Sequence, residues 1–170
     1  MSRNMCILVL GLCALAALAA PVGADSEMVT VVRLSDSIEI AAPPAKVWAA
    51  MTGGDLSWCP YWKGDANKGH KLSKVGDVLE FKDEWGNGGS SVVTYFEPDV
   101  ELRIANEPDD GSYMCQSRLV LEEMEGATTV TYIEQYTDES SDEDMEATAN
   151  SMEAAITKTL MTLKRVAEKK

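Results

Sequence analysis

Met145, Ala149, Met152, Ile156, Leu160, Leu163 and Ala167 recur at spacings of three and four, an apolar stripe that fits one amphipathic helix of about six turns. Its two ends agree with that assignment. Ser140-Ser141 precedes Asp142, Glu143 and Asp144, a capping signal with acids at the positive end of the helix dipole, while Lys164, Arg165, Lys169 and Lys170 lie at the negative end. A helix of this length at the end of a chain must bury its stripe against a large apolar surface, which the preceding residues have to build.

Those residues read as a sheet. Val31 to Ile40, VVRLSDSIEI, is rich in β-branched residues, and Ile38 and Ile40 alternate with polar neighbours, as in a strand with one buried face. Further strands are expected near His70 to Leu72, Asp77 to Asp83, Ser91 to Glu97, Leu102 to Asn106, Tyr113 to Glu123 and Thr128 to Thr137. Short turn sequences join them: Lys74 to Gly76, Gly86-Asn87-Gly88-Gly89, Glu97-Pro98-Asp99, Pro108-Asp109-Asp110-Gly111 and Glu125-Gly126. None leaves room for a parallel crossover, so an antiparallel meander is expected. Between the first strand and the meander the period changes. Pro43-Pro44 ends the strand, Pro44 suits a first helical position, and Val47, Trp48 and Met51 share one side of a short helix ending at Gly53-Gly54. A second aromatic turn, Leu56 to Trp62, follows it, helical or irregular.

The fold class is therefore α+β: a curved antiparallel sheet of about seven strands wrapped around a long C-terminal helix, with two short helices after the first strand. A sheet that wide is not filled by its own side chains. One long helix across its concave face leaves space between the layers, and an internal, mostly apolar pocket of several hundred Å³ is expected there.

At the N-terminus, Arg3, the apolar run from Cys6 to Ala20, and Val22-Gly23-Ala24 before Asp25 read as a secretory signal peptide. The run is short for a membrane span. The expected organisation is a signal peptide over 1–24 and a single domain over 25–170, with an exported location, periplasmic in preference to extracellular, and no stable membrane anchor after cleavage. Cleavage removes one Arg and no acid from 15 basic and 28 acidic residues, so the net charge moves from −13 to −14. That sign repels phosphate backbones and anionic lipid, and no basic cluster stands out beyond Lys164 to Lys170, so no nucleic-acid partner is expected. Cleavage also removes Cys6 and Cys13, leaving Cys59 and Cys115. Two cysteines are too few for a disulfide-stapled scaffold; one disulfide or two buried thiols remain open.

Several of these segments together resemble the START/Bet v1-like superfamily. They are Ile38-x-Ile40-x-Ala42-Pro43 with Lys46-Val47-Trp48, Trp58 and Trp62, Gly76-Asp77, the Glu97-Pro98 step, and the strand Thr128-Thr129-Val130-Thr131-Tyr132 with the terminal helix. The nearest branch is similar to the SRPBCC, or polyketide cyclase/dehydrase-like, proteins, and the likeness runs from about Thr30 to Lys169. The resemblance implies a helix-grip fold around a hydrophobic cavity, in a family whose members bind lipids, hormones or polyketide-like compounds, with some aromatase/cyclases and some co-chaperones. It supplies no universal catalytic set and no cofactor.

Strand parity proposes the lining. Val130, Tyr132, Glu134 and Tyr136 share one face, and the aromatics make it the inward one; Leu119 and Leu121 bring Tyr113, Cys115 and Ser117 inward on the preceding strand. Met145, Met152 and Ile156 would face them from the helix, with Trp48, Trp58 and Trp62 near the pocket's end. The ligand-binding candidates are thus Trp58, Trp62, Tyr113, Tyr132, Glu134, Tyr136, Met145, Met152 and Ile156. Glu134 is the one candidate for catalysis, as a carboxyl whose pKa burial would raise; the alternative is a carboxylate solvated or paired at the sheet's rim.

Other chemistry is poorly supported. His70, the only imidazole, lies in a polar Lys/Gly segment, and without a second His neither a zinc site nor a Ser-His-Asp hydrolase is favoured. Trp85 and Gly86 to Gly89 form a turn rather than a phosphate loop, since a strand follows. The acids of 138–146 lack EF-hand spacing. No metal or cofactor is expected. The leading expectation is an exported carrier or binder of a small hydrophobic ligand, lipid-, steroid- or polyketide-like. The alternatives are a cyclase/dehydrase-type lyase or isomerase, and a module that recognises another exported protein.

Overall fold

In a computed structural model of the chain, residues 30–62, 65–82, 86–111, 113–138 and 142–169 are described, the backbone alone at 30, 138 and 142–145. Among them six strands form one antiparallel sheet: β1 (Thr30–Ile40), β2 (Val78–Lys82), β3 (Gly88–Glu97), β4 (Glu101–Pro108), β5 (Met114–Met124) and β6 (Ala127–Asp138). The order is β1-β6-β5-β4-β3-β2, a meander of five consecutive strands with β1 added beyond the last. β1 and β6 pair along their whole length, from Thr30 opposite Asp138 to Ile40 opposite Thr128. Helix α1 (Pro44–Thr52) follows β1, and α2 (Asp142–Ala167) ends the chain. The architecture is the α+β, helix-grip type expected.

The sheet has six strands rather than about seven, because the segment at His70 to Leu72 does not pair. Its donors are used elsewhere. The Leu72 N–H donates to the Thr52 carbonyl at the end of α1 (3.1 Å), and one Asp77 carboxylate oxygen collects the N–H groups of Ser73 (2.6 Å) and Lys74 (3.0 Å). The result is a loop pinned to α1 rather than a strand. In place of a second short helix stand three 3-10 turns, Leu56–Trp58, Pro60–Trp62 and Asp65–Asn67. Pro60 has no N–H to continue a helix from the first turn, and the Cys59 N–H closes that turn on the Leu56 carbonyl (3.1 Å). Trp85 and the proposed cap at Ser140-Ser141 lie outside the described residues, as does the signal segment.

The α2 stripe meets the expectation over its second half. Ile156, Leu160, Leu163 and Ala167 are buried on a helix that packs against β1, α1 and the Leu56–Trp58 turn, and burial of each large aliphatic side chain contributes roughly 1.5–3 kcal/mol. The basic end of the helix does more than oppose the dipole. Lys164 Nζ donates to the Glu39 carbonyl (2.6 Å) and Lys46 Nζ to the Lys169 carbonyl (3.2 Å), while Glu168 Oε1 accepts the Ala41 N–H (2.8 Å). These bonds tie the end of α2 to the β1–α1 junction and leave the other half of the concave face to be covered by the 3-10 turns and the middle of α2.

Candidate functional site

A half-enclosed cavity lies between the concave face at β2, β4, β5 and β6, the aromatic 3-10 turns and Met152 of α2. Its wall is apolar for the most part. Trp58 and Trp62 meet edge to face with ring centroids 5.2 Å apart, and both indoles are held by hydrogen bonds: Trp58 Nε1–H to the Met51 carbonyl (3.0 Å) and Trp62 Nε1–H to Ser91 Oγ (2.9 Å). Tyr113 and Tyr136 lie 5.2 Å apart at the other end, where Met152 packs against Cys115 and Tyr136. Phe81, Ile104 and Leu119 complete the apolar surface.

Across this wall runs a line of polar side chains that strand register assembles. Ser91 faces Asn106 across β3–β4, Asn106 faces Cys115 across β4–β5, and Ser117 faces Glu134 across β5–β6. Ser91 Oγ donates to Asn106 Oδ1 (2.7 Å), Asn106 Nδ2 donates to Ser117 Oγ (3.2 Å), and the Tyr132 hydroxyl donates to the same Ser117 oxygen (3.1 Å). The Cys115 thiol donates to Glu134 Oε1 (2.7 Å).

Electrostatics follow from that burial. Loss of water raises the Glu134 carboxyl above its ordinary value, against the lowering influence of the Cys115 thiol and the Tyr132 hydroxyl. Glu134 is half-buried by accessible area, and the carboxyl end is the part that protein surrounds. Desolvation, then the Glu134 charge, pushes the Cys115 thiol and the Tyr132 phenol well up. Both therefore stay protonated at neutral pH and act as donors, and the Cys115 thiol has no thiolate character to use as a nucleophile. Among the described residues no group of three or more His, Cys, Asp or Glu is placed to hold a metal ion.

The free space is smaller than the pattern suggested. About 60 Å³ is open to the centre of a water-sized sphere, room for a few waters, since one needs ~10–15 Å³. The several hundred Å³ expected is absent because the aromatic side chains and Met152 occupy the gap between the layers. A wider depression of about 470 Å³ near Gly54, Asp55, Asp65 and Lys68 lies open at the surface and encloses nothing.

Of the candidate residues, Trp58, Trp62, Tyr113, Tyr132, Glu134, Tyr136 and Met152 line the cavity together. Ile156 does not: it is buried in the main core, one helical turn past Met152. The Met145 side chain lies outside the described residues. Trp48 packs against Phe96 instead, with ring centroids 5.0 Å apart. His70 is half-buried in the loop after Asn67, away from the wall. Cys59 and Cys115 are buried thiols that form no disulfide, and both line the cavity. Sequence reasoning missed the lining residues Tyr61, Phe81, Ile104 and Asn106, and Ser91, which bonds to Asn106. Asn106 was within reach, since it shares alternation with Leu102 and Ile104.

No family description and no curated protein matches the sequence. Solved structures do share its fold. A protein of Mesorhizobium loti superposes with a TM-score of 0.61 at 16% identity, covering 79% of this chain and 96% of its own. The Aha1 dimer from Colwellia psychrerythraea gives 0.57 at 23%, covering 81% and 96%. An uncharacterised protein of Bacillus thuringiensis gives 0.60 at 16%, covering 81% and 100%. At these identities the likeness shows a shared fold alone, an antiparallel sheet with a long C-terminal helix packed against it in the helix-grip manner.

Proposed function

We propose that this chain binds a small, largely apolar ligand in the sheet–helix cavity and carries or sequesters it without covalent chemistry. The observation that carries this reading is the polar line of Asn106, Ser117, Cys115 and Glu134, backed by Ser91, in an otherwise aromatic and aliphatic wall. Apolar contact supplies affinity in such a site, and a few convergent polar groups fix orientation. The space favours a ligand about the size of one ring; a steroid- or lipid-sized compound requires Met152 and neighbouring rings to move. Methionine, unbranched and flexible, suits that adjustment. The first 24 residues support export to the periplasm or beyond the cell, and sequencing of the mature N-terminus, expected at Asp25, tests that.

Native mass spectrometry of protein purified from its own source tests the binding. A co-purifying small molecule, released on denaturation and competing with an apolar fluorescent probe, is the expected result. No bound molecule together with no probe binding overturns the reading.

One observation favours a second reading, an acid–base enzyme of the cyclase/dehydrase type. Glu134 is a carboxyl raised by burial beside hydroxyl and thiol donors, the setting of a general acid. Turnover lost in Glu134→Gln with ligand affinity retained distinguishes it from simple carriage.

A further inference from the structure

We infer that the ligand of this cavity carries a positively charged nitrogen: the geometry points to a small organic ammonium, held by the Glu134 carboxylate and by aromatic faces. The inference rests on the binding function proposed above and names the chemical class that site selects.

Three observations carry it. First, Glu134 brings an acid into a wall that holds no Lys, Arg or His among the described residues. Its Oε1 accepts a thiol proton from Cys115, a weak donor, and its one other side-chain influence among the described residues is the neutral Tyr132 hydroxyl. A buried carboxylate without a cation is costly, and a ligand ammonium removes that cost by pairing with it. Second, seven of the fifteen lining residues are aromatic. Trp58 and Trp62 are locked edge to face by hydrogen bonds to Met51 and Ser91, so their rings keep their orientation without a ligand. Aromatic faces attract cations, more strongly where water is excluded. Third, the remaining donors of the polar line, on Ser91, Asn106 and Tyr132, are already directed at protein oxygens. An anionic ligand would have to displace these bonds to use those donors and would lie against the Glu134 charge. The net charge of −13 adds to the preference by drawing cations toward the protein from solution.

A matched series on one frame tests the inference: benzylamine, protonated at pH 7, benzyl alcohol and benzoate, each titrated against the full-length chain by tryptophan fluorescence and by calorimetry. The expected result is benzylamine at least about tenfold tighter than benzyl alcohol, with benzoate not binding. In Glu134→Gln, the preference for benzylamine over benzyl alcohol should disappear, with an unchanged near-ultraviolet circular dichroism spectrum reporting that the variant is folded. Equal affinity for amine and alcohol, or an amine preference that survives in Glu134→Gln, overturns the ammonium inference and leaves the cavity a neutral-ligand site. Failure of all three probes, and of the apolar probe above, overturns the binding reading along with it.

Discussion

Glu134→Gln should remove a specific pH dependence from the stability of the ligand-free protein. Burial raises the folded-state pKa of Glu134 above its ordinary value of 4.5. Below about pH 4.5 the group is protonated in both states and contributes its full share. Between that pH and the raised folded value the unfolded chain has released the proton while the folded protein keeps it, so stability falls as pH rises. One proton of difference corresponds to about 1.4 kcal/mol per pH unit. The loss ends once pH exceeds the folded value. Carboxyls held below their ordinary range act with the opposite sign and at lower pH. Glu101, paired with Arg118 and Arg103, and Asp77, which accepts from Ser73 and Lys74, lose their contributions as pH drops. Both proteins contain them, so they cancel in the difference between wild type and variant.

The assay is urea unfolding of both proteins at one-unit steps from pH 4 to pH 8. The wild-type stability minus that of the variant should be highest at pH 4, decline from about pH 4.5 with a slope of up to about 1.4 kcal/mol per unit, and then flatten. Equal m-values guard against a change in the unfolded state. Parallel curves across the range would refute the reasoning, because they would mean that the folded protein does not resist ionisation of Glu134.

Three further perturbations are expected to act through single contacts. Thr159, on the buried face of α2, has a hydroxyl with no hydrogen-bond partner among the described residues, so Thr159→Val should stabilise by ~1–3 kcal/mol, and a lowered urea midpoint would contradict it. Gly89→Ala would place a Cβ 2.3 Å from the Glu107 carbonyl oxygen and 2.5 Å from Phe81 Cε1; a loss of ~1–3 kcal/mol is expected, with altered probe binding as Phe81 shifts in the cavity wall. Asn67, buried, donates to the Trp62 carbonyl (3.1 Å) and accepts the Glu80 N–H (3.0 Å). Asn67→Ala should cost ~1–3 kcal/mol and raise hydrogen exchange at Glu80, and unchanged exchange there would remove the assigned role.

Period and parity carried most of the architecture and part of the site. The spacing from Ile156 to Ala167 foretold the buried face of α2, and alternation on β5 and β6 placed Cys115, Ser117, Tyr132, Glu134 and Tyr136 inward. Both are local properties of a chain with a fixed repeat. What escaped depends on partners distant in sequence. Whether His70 to Leu72 pairs as a strand was decided by Thr52 and by the Asp77 loop. Phe81 joins the wall through the β2–β3 register, and Ser91 reaches Asn106 through the β3–β4 register, which no single strand reveals. The cavity's size depends on how seven aromatic rings and Met152 share a volume, a packing result with no linear pattern. Ile156 illustrates the same limit: the stripe placed it on the inward face, but the helix crosses the sheet so that Met152 reaches the cavity and Ile156 the core beside α1.

The polar line itself is the part least explained by stability. Ser91 and Ser117 are almost fully buried at strand positions where Val or Ile would fit the sheet better, and their hydroxyls are satisfied because strand register brings Asn106 and Tyr132, and the Pro60–Trp62 turn brings Trp62, to them. A connected polar network fixes one arrangement of a core, yet an apolar core of the same shape is no less stable. Glu134 goes further, since its thiol and hydroxyl neighbours offset only part of its desolvation. Most other inward positions of the sheet are Leu, Ile, Val and aromatics, with Thr128 bonded to the Ala42 carbonyl as an exception, and Asn106, Ser117, Cys115 and Glu134 gather where the layers leave a cavity. Departures from local consistency that coincide with a cavity mark a site shaped for a ligand rather than for the fold. The prediction for Glu134→Gln expresses the same conclusion in stability: the folded protein should be more stable without that charge, and the binding it permits is what the charge is there to provide.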